Sequence, residues 1–193
     1  GAVERLLAVK GRGRQMPPPV LVAAPADLTG LVAQVPEAAR ALMEAFWPGA
    51  LTLILEADAA LTWDLGETGG TLAVRMPAHA LALNLLRRSG PLAATDAASA
   101  RAAFPGRVRG TEELVLGSAG AGAVRREDIL LLDGGATPGP VPSTIVTLAG
   151  EHARAPRILR QGVLALADLE RVAGVALSEG TAEAARGRTE AGA

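Results

Sequence analysis

Cationic residues stand beside glycines or at the ends of apolar segments in several parts of this 193-residue chain. Lys10, Arg12 and Arg14 cluster in a glycine-rich stretch, Arg75 ends an apolar run, and Arg160 comes two residues before a glycine. Ammonium and guanidinium groups bind anions through charge-assisted hydrogen bonds, which are about twice as strong as neutral ones. A solvated surface charge is the commoner role for any single arginine. Together, the five residues favour a phosphate or carboxylate ligand.

Other chemical groups are few. Ser143 and Thr144 begin an apolar run, where they either form the turn that enters a strand or contact a phosphate or an amino acid. The chain has no GxxxxGK[ST] phosphate loop, no GxGxxG between a strand and a helix, no GxSxG and no HExxH. With no cysteine and only His79 and His152, a thiol nucleophile is excluded and a histidine-rich metal site is disfavoured.

The composition narrows the partners that the protein can have. Net charge is −1, from 19 basic and 20 acidic residues, so global charge gives no reason to expect nucleic-acid or anionic-membrane binding, although local basic patches remain open. No apolar run reaches the roughly 18 residues that cross a bilayer, and no signal peptide is visible. We therefore expect a soluble, cytoplasmic protein without membrane contact, and the lack of cysteine fits a reducing cytosol.

Strand-like and helix-like segments alternate along the chain, which predicts an α/β or α+β fold with flanking helices on a twisted, mixed sheet. The predicted strands are residues 20–24, 50–56, 71–77, 91–95, 128–135, 143–150 and 156–162. The predicted helices are residues 2–10, 26–46 with a break near Pro36, 78–90, 97–103 and 164–174. One domain over residues 1–174 and a disordered tail over 175–193 are expected, because the tail lacks core-forming side chains. The first helix has no cap before it, so we expect earlier strands of the domain to be missing.

One junction concentrates the aromatic residues. Residues 44–55, EAFWPGALTLIL, hold Phe46 and Trp47, which are two of the four aromatic side chains in the chain. Pro48 disfavours helical backbone at the residue before it, so a helix should end there and a strand should follow. Two rings at such a corner most simply fill the space between helix and sheet, and we expect packing in preference to direct ligand contact.

Seven strings, taken in order, resemble the YrdC-like threonylcarbamoyl-adenylate synthase family. They are AVKGRGRQMP, AFWPGALTLIL, GTLAVRMPAH, GPLAAT, ILLLDGG, STIVTLAG and PRILRQGV, and they span roughly residues 2–174. The resemblance implies a YrdC-like fold whose twisted mixed sheet encloses a large, positively charged cavity. It also implies a nucleotidyltransferase that joins L-threonine, bicarbonate and ATP into threonylcarbamoyl-adenylate and releases pyrophosphate, with Mg²⁺ held mostly by phosphates and water. Partner proteins would then transfer the threonylcarbamoyl group to tRNA.

The resemblance implies roles for six residues. Those implied to contact ATP are Lys10, Arg12, Thr71 and Arg160, and those implied to contact threonine are Arg75 and Ser143. No side chain is expected to act as a nucleophile or to form a metal cage, because adenylation needs charges placed on the polyphosphate and on the reacting carboxylate centre.

The chain departs from the family pattern at two places. In TDAASAR, Asp96 stands where the family has the serine of a Ser-x-Asn motif, and Ala98 stands where it has the asparagine. Thr95 and Asp96 are further candidates for the site, and Asp96 would repel a triphosphate unless Mg²⁺ lay between them, in which case it could serve as a metal contact. The family's initial threonine-rich strand and Tyr-Gly loop are also absent.

These departures leave three functions open. The first is the adenylate-forming synthase. The second is a non-catalytic YrdC-like module that binds nucleotide or makes a weak contact with RNA. The third is a generic α/β scaffold whose charges are merely on the surface.

Overall fold

The computed structural model of the chain describes residues 2–9, 13–94 and 141–180. Strands in these ranges form one seven-stranded sheet in the order β4-β1-β3-β2-β5-β6-β7. Its strands are β1 (Val20–Leu21), β2 (Leu51–Glu56), β3 (Thr71–Arg75), β4 (Leu92–Ala93), β5 (Thr144–Thr147), β6 (Arg157–Arg160) and β7 (Ser178–Glu179). The helices are α1 (Ala2–Val9), α2 (Glu37–Phe46), α3 (Ala80–Ser89) and α4 (Leu166–Ala173), with short 3₁₀ turns at Pro25–Leu28 and Gly150–Ala153.

The sheet is mixed, as the sequence predicts. Strand β2 lies at its centre, antiparallel to β3 and parallel to β5. Strand β6 runs antiparallel to β5 and parallel to β7, and β1 runs parallel to β3. Parallel and antiparallel pairs in one sheet with flanking helices confirm the predicted fold class. No helix in the described ranges is long and apolar enough to span a membrane.

The two faces of the central strand differ in chemistry. Leu51, Leu53 and Leu55 are fully buried, and α2 packs against β2 and against α4. Alternate side chains of a strand point to opposite faces, so Thr52 belongs to the other face. We call the leucine side the core face and the Thr52 side the polar face.

The chain divides into two compact units. One consists of residues 20–61, 70–92 and 141–193, and among the described residues it contains the central strands and helices α2, α3 and α4. The other consists of residues 1–19, 62–69 and 93–140 and contains α1. Within this second unit, Arg14 donates to both carboxylate oxygens of Asp64, which lowers the pKa of that exposed carboxyl.

The predicted elements and the observed ones agree for the central strands and for helices α2, α3 and α4. The prediction of a helix over residues 26–35 is wrong: a 3₁₀ turn ends at Leu28, Gly30 has a positive φ of 78°, and Val32 forms a bridge with Ala57. The left-handed backbone at Gly30 stops a helix there. The strand predicted at 128–135 and the helix predicted at 97–103 lie outside the described residues.

The segment predicted as a tail is partly structured. Ser178 and Glu179 form β7 beside β6, and Leu177 is only 6% exposed. The backbone N–H of Leu177 donates to the Glu170 carboxylate at 3.0 Å. The prediction of disorder is therefore wrong for residues 175–180, because one buried leucine and a backbone ladder hold them in place, and residues 181–193 lie outside the described ranges.

Residues 46–49, which we call the aromatic corner, connect α2 to β2 and have a structural role. Trp47 ends α2 and is 8% exposed, and its indole N–H donates to the Leu51 carbonyl at 2.9 Å. Phe46 is only partly buried. A Cβ on Gly49 would lie 2.2 Å from the Phe46 carbonyl oxygen, so the turn after the helix admits only glycine without a shift of the backbone. Packing by Trp47 is confirmed.

Replacing Trp47 by alanine should destabilise the protein by about 3–5 kcal/mol, because a buried aromatic ring leaves a cavity and its hydrogen bond is lost. Urea unfolding monitored by circular dichroism measures this free energy. The control is Trp63→Ala, since Trp63 is 42% exposed and its removal should leave stability within about 1 kcal/mol. Equal losses for the two variants would contradict the structural role of Trp47.

Candidate functional site

Strand register places the site residues on the polar face. Leu53 pairs with Val74, so the next pair in this antiparallel ladder sets Thr52 opposite Arg75. Thr52 also pairs with Ile145 of β5. Paired residues share a face of the sheet. Arg75, Thr52 and Ile145 therefore follow one another across the polar face.

A β-bulge adds Arg160 to this row. Thr147 pairs with Arg157 and Val146 with Ile158, but Ile145 pairs with Arg160, so Leu159 is an extra residue in β6. A bulge of one residue reverses which side chains of the strand face each side. Without it, Arg160 would lie on the same face as Ile158, which is buried. The bulge therefore puts Arg160 on the face that carries Arg75.

Arg160 is fixed by a set of hydrogen bonds to Ser143. Its Nε and Nη2 atoms donate to the Ser143 carbonyl at 3.1 and 2.9 Å, and Nη2 also donates to the Ser143 Oγ at 3.0 Å. Ser143 Oγ in turn lies 2.9 Å from Thr52 Oγ1. These contacts join Arg160, Ser143 and Thr52 into one network that links β6, the residue before β5, and β2.

Arg75 is held by the aromatic corner. Its Nε donates to the Gly49 carbonyl at 2.9 Å, and the Gly49 N–H donates to the Met76 carbonyl at 2.8 Å. The corner that ends α2 therefore also anchors the end of β3. This second role of the EAFWPGALTLIL junction is not visible from its packing pattern.

The Arg75 guanidinium is affected by burial and by the charge of Arg160. Burial lowers the pKa of Arg75, and the positive charge of Arg160 lowers it further. Arginine stays protonated at neutral pH despite such effects. Within the described ranges, the hydrogen bonds of both side chains go to carbonyl and hydroxyl oxygens, and neither forms an ion pair with a carboxylate. Two neighbouring positive charges in partly buried surroundings attract an anion.

The segment after β6 is locked against β5. Thr144 is fully buried, and its Oγ1 accepts hydrogen bonds from the N–H groups of Gly162 and Leu164, both at 3.1 Å. A Cβ on Gly162 would lie 2.4 Å from the Pro142 carbonyl oxygen and 2.5 Å from Thr144 N. Glycine at this position therefore allows the segment beyond Arg160 to approach the start of β5 closely.

The structure brings together three of the residues named from sequence, namely Arg75, Ser143 and Arg160. Thr71 shares the polar face but pairs with Glu56 at the other end of β3, about 13 Å along the strand from Arg75 at 3.3 Å per residue. Arg14 is engaged with Asp64. The other candidates, Lys10, Arg12, Thr95 and Asp96, lie outside the described residues, so their roles stay predictions.

Sequence reasoning missed three residues that shape the site. Thr52 reads as the polar side of an ordinary strand, and Gly49 and Gly162 read as turn residues. The signal that could have identified Thr52 is its place opposite Arg75, but this needs the strand register, which sequence alone does not supply. No group of three or more His, Asp or Glu side chains that could hold a metal ion occurs in the part of the chain that the structure describes.

Comparison with known proteins gives the class to which this fold and site belong. The Sua5_yciO_yrdC family model, described as telomere recombination, matches residues 1–162. The chain belongs to the Sua5/YciO/YrdC family. This confirms the family resemblance and the YrdC-like fold.

Individual relatives support the same family membership. A Mycobacterium leprae protein named "Putative threonylcarbamoyl-AMP synthase" is 40% identical over 174 residues, which are 90% of this chain and 74% of the relative. The Bacillus subtilis threonylcarbamoyl-AMP synthase is 35% identical over 175 residues, 90% of this chain and 47% of the relative. This chain therefore spans about three quarters of the first protein and about half of the second.

A solved structure is similar as well. The crystal structure of Pyrococcus abyssi Sua5 complexed with L-threonine matches with a TM-score of 0.69 and 30% sequence identity. The match covers 91% of this chain and 49% of the Pyrococcus chain. The fold of this chain therefore corresponds to about half of that protein.

Replacing Gly162 by alanine should destabilise the protein by about 1–3 kcal/mol, because the added methyl group overlaps backbone atoms of residues 142–144. The loss is measured by urea unfolding. Val163→Ala in the same segment is the control, since Val163 is 55% exposed and its truncation should have little effect. A stable Gly162→Ala protein would show that the segment does not approach β5 as closely as described.

Proposed function

We propose that this protein is an L-threonylcarbamoyladenylate synthase, forming threonylcarbamoyl-AMP and pyrophosphate from L-threonine, bicarbonate and ATP. The observation that carries the proposal is the placement of Arg75 and Arg160 on one face of the sheet, with Ser143 joined to Arg160. This arrangement suits two anionic substrates that must meet, an amino-acid carboxylate and a polyphosphate. The relatives that bear the synthase name support the same reaction.

Each residue has a role that follows from its chemistry. Arg75 points its remaining guanidinium donors at the threonine carboxylate, since its Nε is already used by Gly49. Ser143 offers a hydroxyl beside that carboxylate. Ser143 holds Nε and Nη2 of Arg160. The Arg160 guanidinium then neutralises negative charge on the phosphates while that charge redistributes during adenylation. Catalysis then rests on positioned charge and not on a side-chain nucleophile.

A magnesium ion fits this site as part of the nucleotide. The described residues gather no carboxylate cluster, and Mg²⁺ in nucleotide sites is commonly held by phosphate oxygens and water with few protein ligands. The ion would offset the negative charge of the triphosphate. The protein residues would orient the phosphates and the threonine.

The wider assignment follows from the same proposal. Threonylcarbamoyl-AMP is an activated intermediate, so transfer proteins acting on tRNA would consume it, and we expect the reaction to take place in the cytoplasm. The second candidate is a non-catalytic module that retains nucleotide or weak RNA binding. The replacement of the family's Ser-x-Asn residues by Asp96 and Ala98 favours this alternative.

Calorimetry and a pyrophosphate assay separate the two functions. A synthase should bind ATP with Mg²⁺, bind it more tightly when L-threonine and bicarbonate are present, and release pyrophosphate only when threonine is added. A binding module should bind ATP without any threonine-dependent release. Absence of binding to ATP and to threonine would contradict the synthase and the nucleotide-binding form of the module.

Arg75→Gln should weaken L-threonine binding by about tenfold or more, the usual loss for a charged hydrogen bond. Titration calorimetry measures the dissociation constant. The control is Arg87→Gln, since Arg87 is an exposed arginine of α3 that bonds Asn84 and should bind threonine as the wild type does. An unchanged constant for Arg75→Gln would remove Arg75 from the threonine site.

A further inference from the structure

Two buried hydroxyl groups meet beside the paired arginines. Thr52 is 5% exposed and Ser143 is 6% exposed, and their oxygens lie 2.9 Å apart. Thr52 lies in β2, Ser143 immediately precedes β5, the parallel neighbour of β2, and the two residues are 91 apart in sequence.

The donors and acceptors of this pair can be counted. Arginine only donates, so Ser143 Oγ accepts from Nη2 of Arg160. The two hydroxyls have two protons, and only one of them can lie between the two oxygens. Neither hydroxyl has another hydrogen-bond partner within the described residues. Within the described residues, one of the two buried hydroxyl protons is therefore left to donate, and a buried donor gains stability when a ligand supplies an acceptor.

Either hydroxyl can donate in this contact, and the arrangement in which Thr52 donates leaves that proton on Ser143, the hydroxyl that Arg160 also contacts. A hydroxyl can accept two hydrogen bonds and donate one. If Thr52 donates to Ser143, then Ser143 accepts from both Thr52 and Arg160, and the direction of its own proton is fixed. Accepting two hydrogen bonds also polarises the hydroxyl and strengthens the bond that it donates.

We propose that Thr52 is a positioning residue: its hydroxyl donates to Ser143 and thereby directs the Ser143 proton to a carboxylate oxygen bound beside Arg75. This proposal rests on the proposed function, because it takes L-threonine as the source of that carboxylate. Thr52 acts through Ser143 and does not itself contact the ligand. It therefore affects the affinity for threonine more than the affinity for ATP.

The test compares steady-state kinetics of threonine-dependent pyrophosphate release in the wild type, Thr52→Val and Thr52→Ser. Valine keeps the shape of threonine and removes the hydroxyl. We expect Thr52→Val to raise KM for L-threonine about five- to tenfold, the equivalent of one neutral hydrogen bond. KM for ATP should stay within about twofold, and Thr52→Ser should restore KM for threonine, because a conservative hydroxyl can still donate to Ser143.

Two further variants separate positioning from other roles. Thr147→Val makes the same chemical change at another buried threonine of the sheet, away from Ser143, and should leave KM for threonine unchanged. In a Ser143→Ala background, adding Thr52→Val should change KM for threonine less than about twofold, because residues that act as a unit are not additive. Melting temperatures of all variants show whether they fold, and Thr52→Ala replaces Thr52→Val if the latter does not.

The possible outcomes are distinct. An unchanged KM for threonine in Thr52→Val, or no rescue by serine, would overturn the role of Thr52 while the proposed function stands. A full effect of Thr52→Val in the Ser143→Ala background would also overturn it, because Thr52 would then contact the ligand directly. A wild type that releases no pyrophosphate with threonine would overturn the proposed function and this inference together.

Discussion

Two positive charges on one face of a β-sheet are the constraint around which this structure is organised. Arg75 and Arg160 come from strands separated by β2 and β5, and the charge of Arg160 lowers the pKa of Arg75. Like charges in partly buried surroundings oppose folding. The chain therefore has to supply contacts that keep both side chains in place.

Those contacts come from elements that look purely structural. The Gly49 carbonyl holds Arg75, and it belongs to the corner that Trp47 stabilises. The Ser143 carbonyl and hydroxyl hold Arg160. Residues at the ends of core elements therefore hold the two arginines of the polar face, and binding of an anion would relieve the repulsion between these charges.

The sequence predicts the strands and helices of this protein better than it predicts the site. Alternating leucines bounded by proline and glycine identify β2, because burial of one face demands that pattern. The same alternation in PRILRQG would put Arg160 on the face of Ile158. The extra residue at Leu159 reverses this, and nothing local in the sequence marks the bulge. The sequence pattern does not predict residues 26–35 and 175–180 correctly, because the positive φ of Gly30 ends the helical backbone in the first segment and burial of Leu177 orders the second.

Family membership fixes the fold, while the proposed activity depends on the polar face. The most direct measurement of the central claim is a crystal structure of this chain with L-threonine and pyrophosphate. The threonine carboxylate should lie within hydrogen-bonding distance of Arg75 and of Ser143 Oγ, with a phosphate oxygen at Arg160. Ligands bound elsewhere, with Arg75 and Arg160 still bonded only to Gly49 and Ser143, would contradict it.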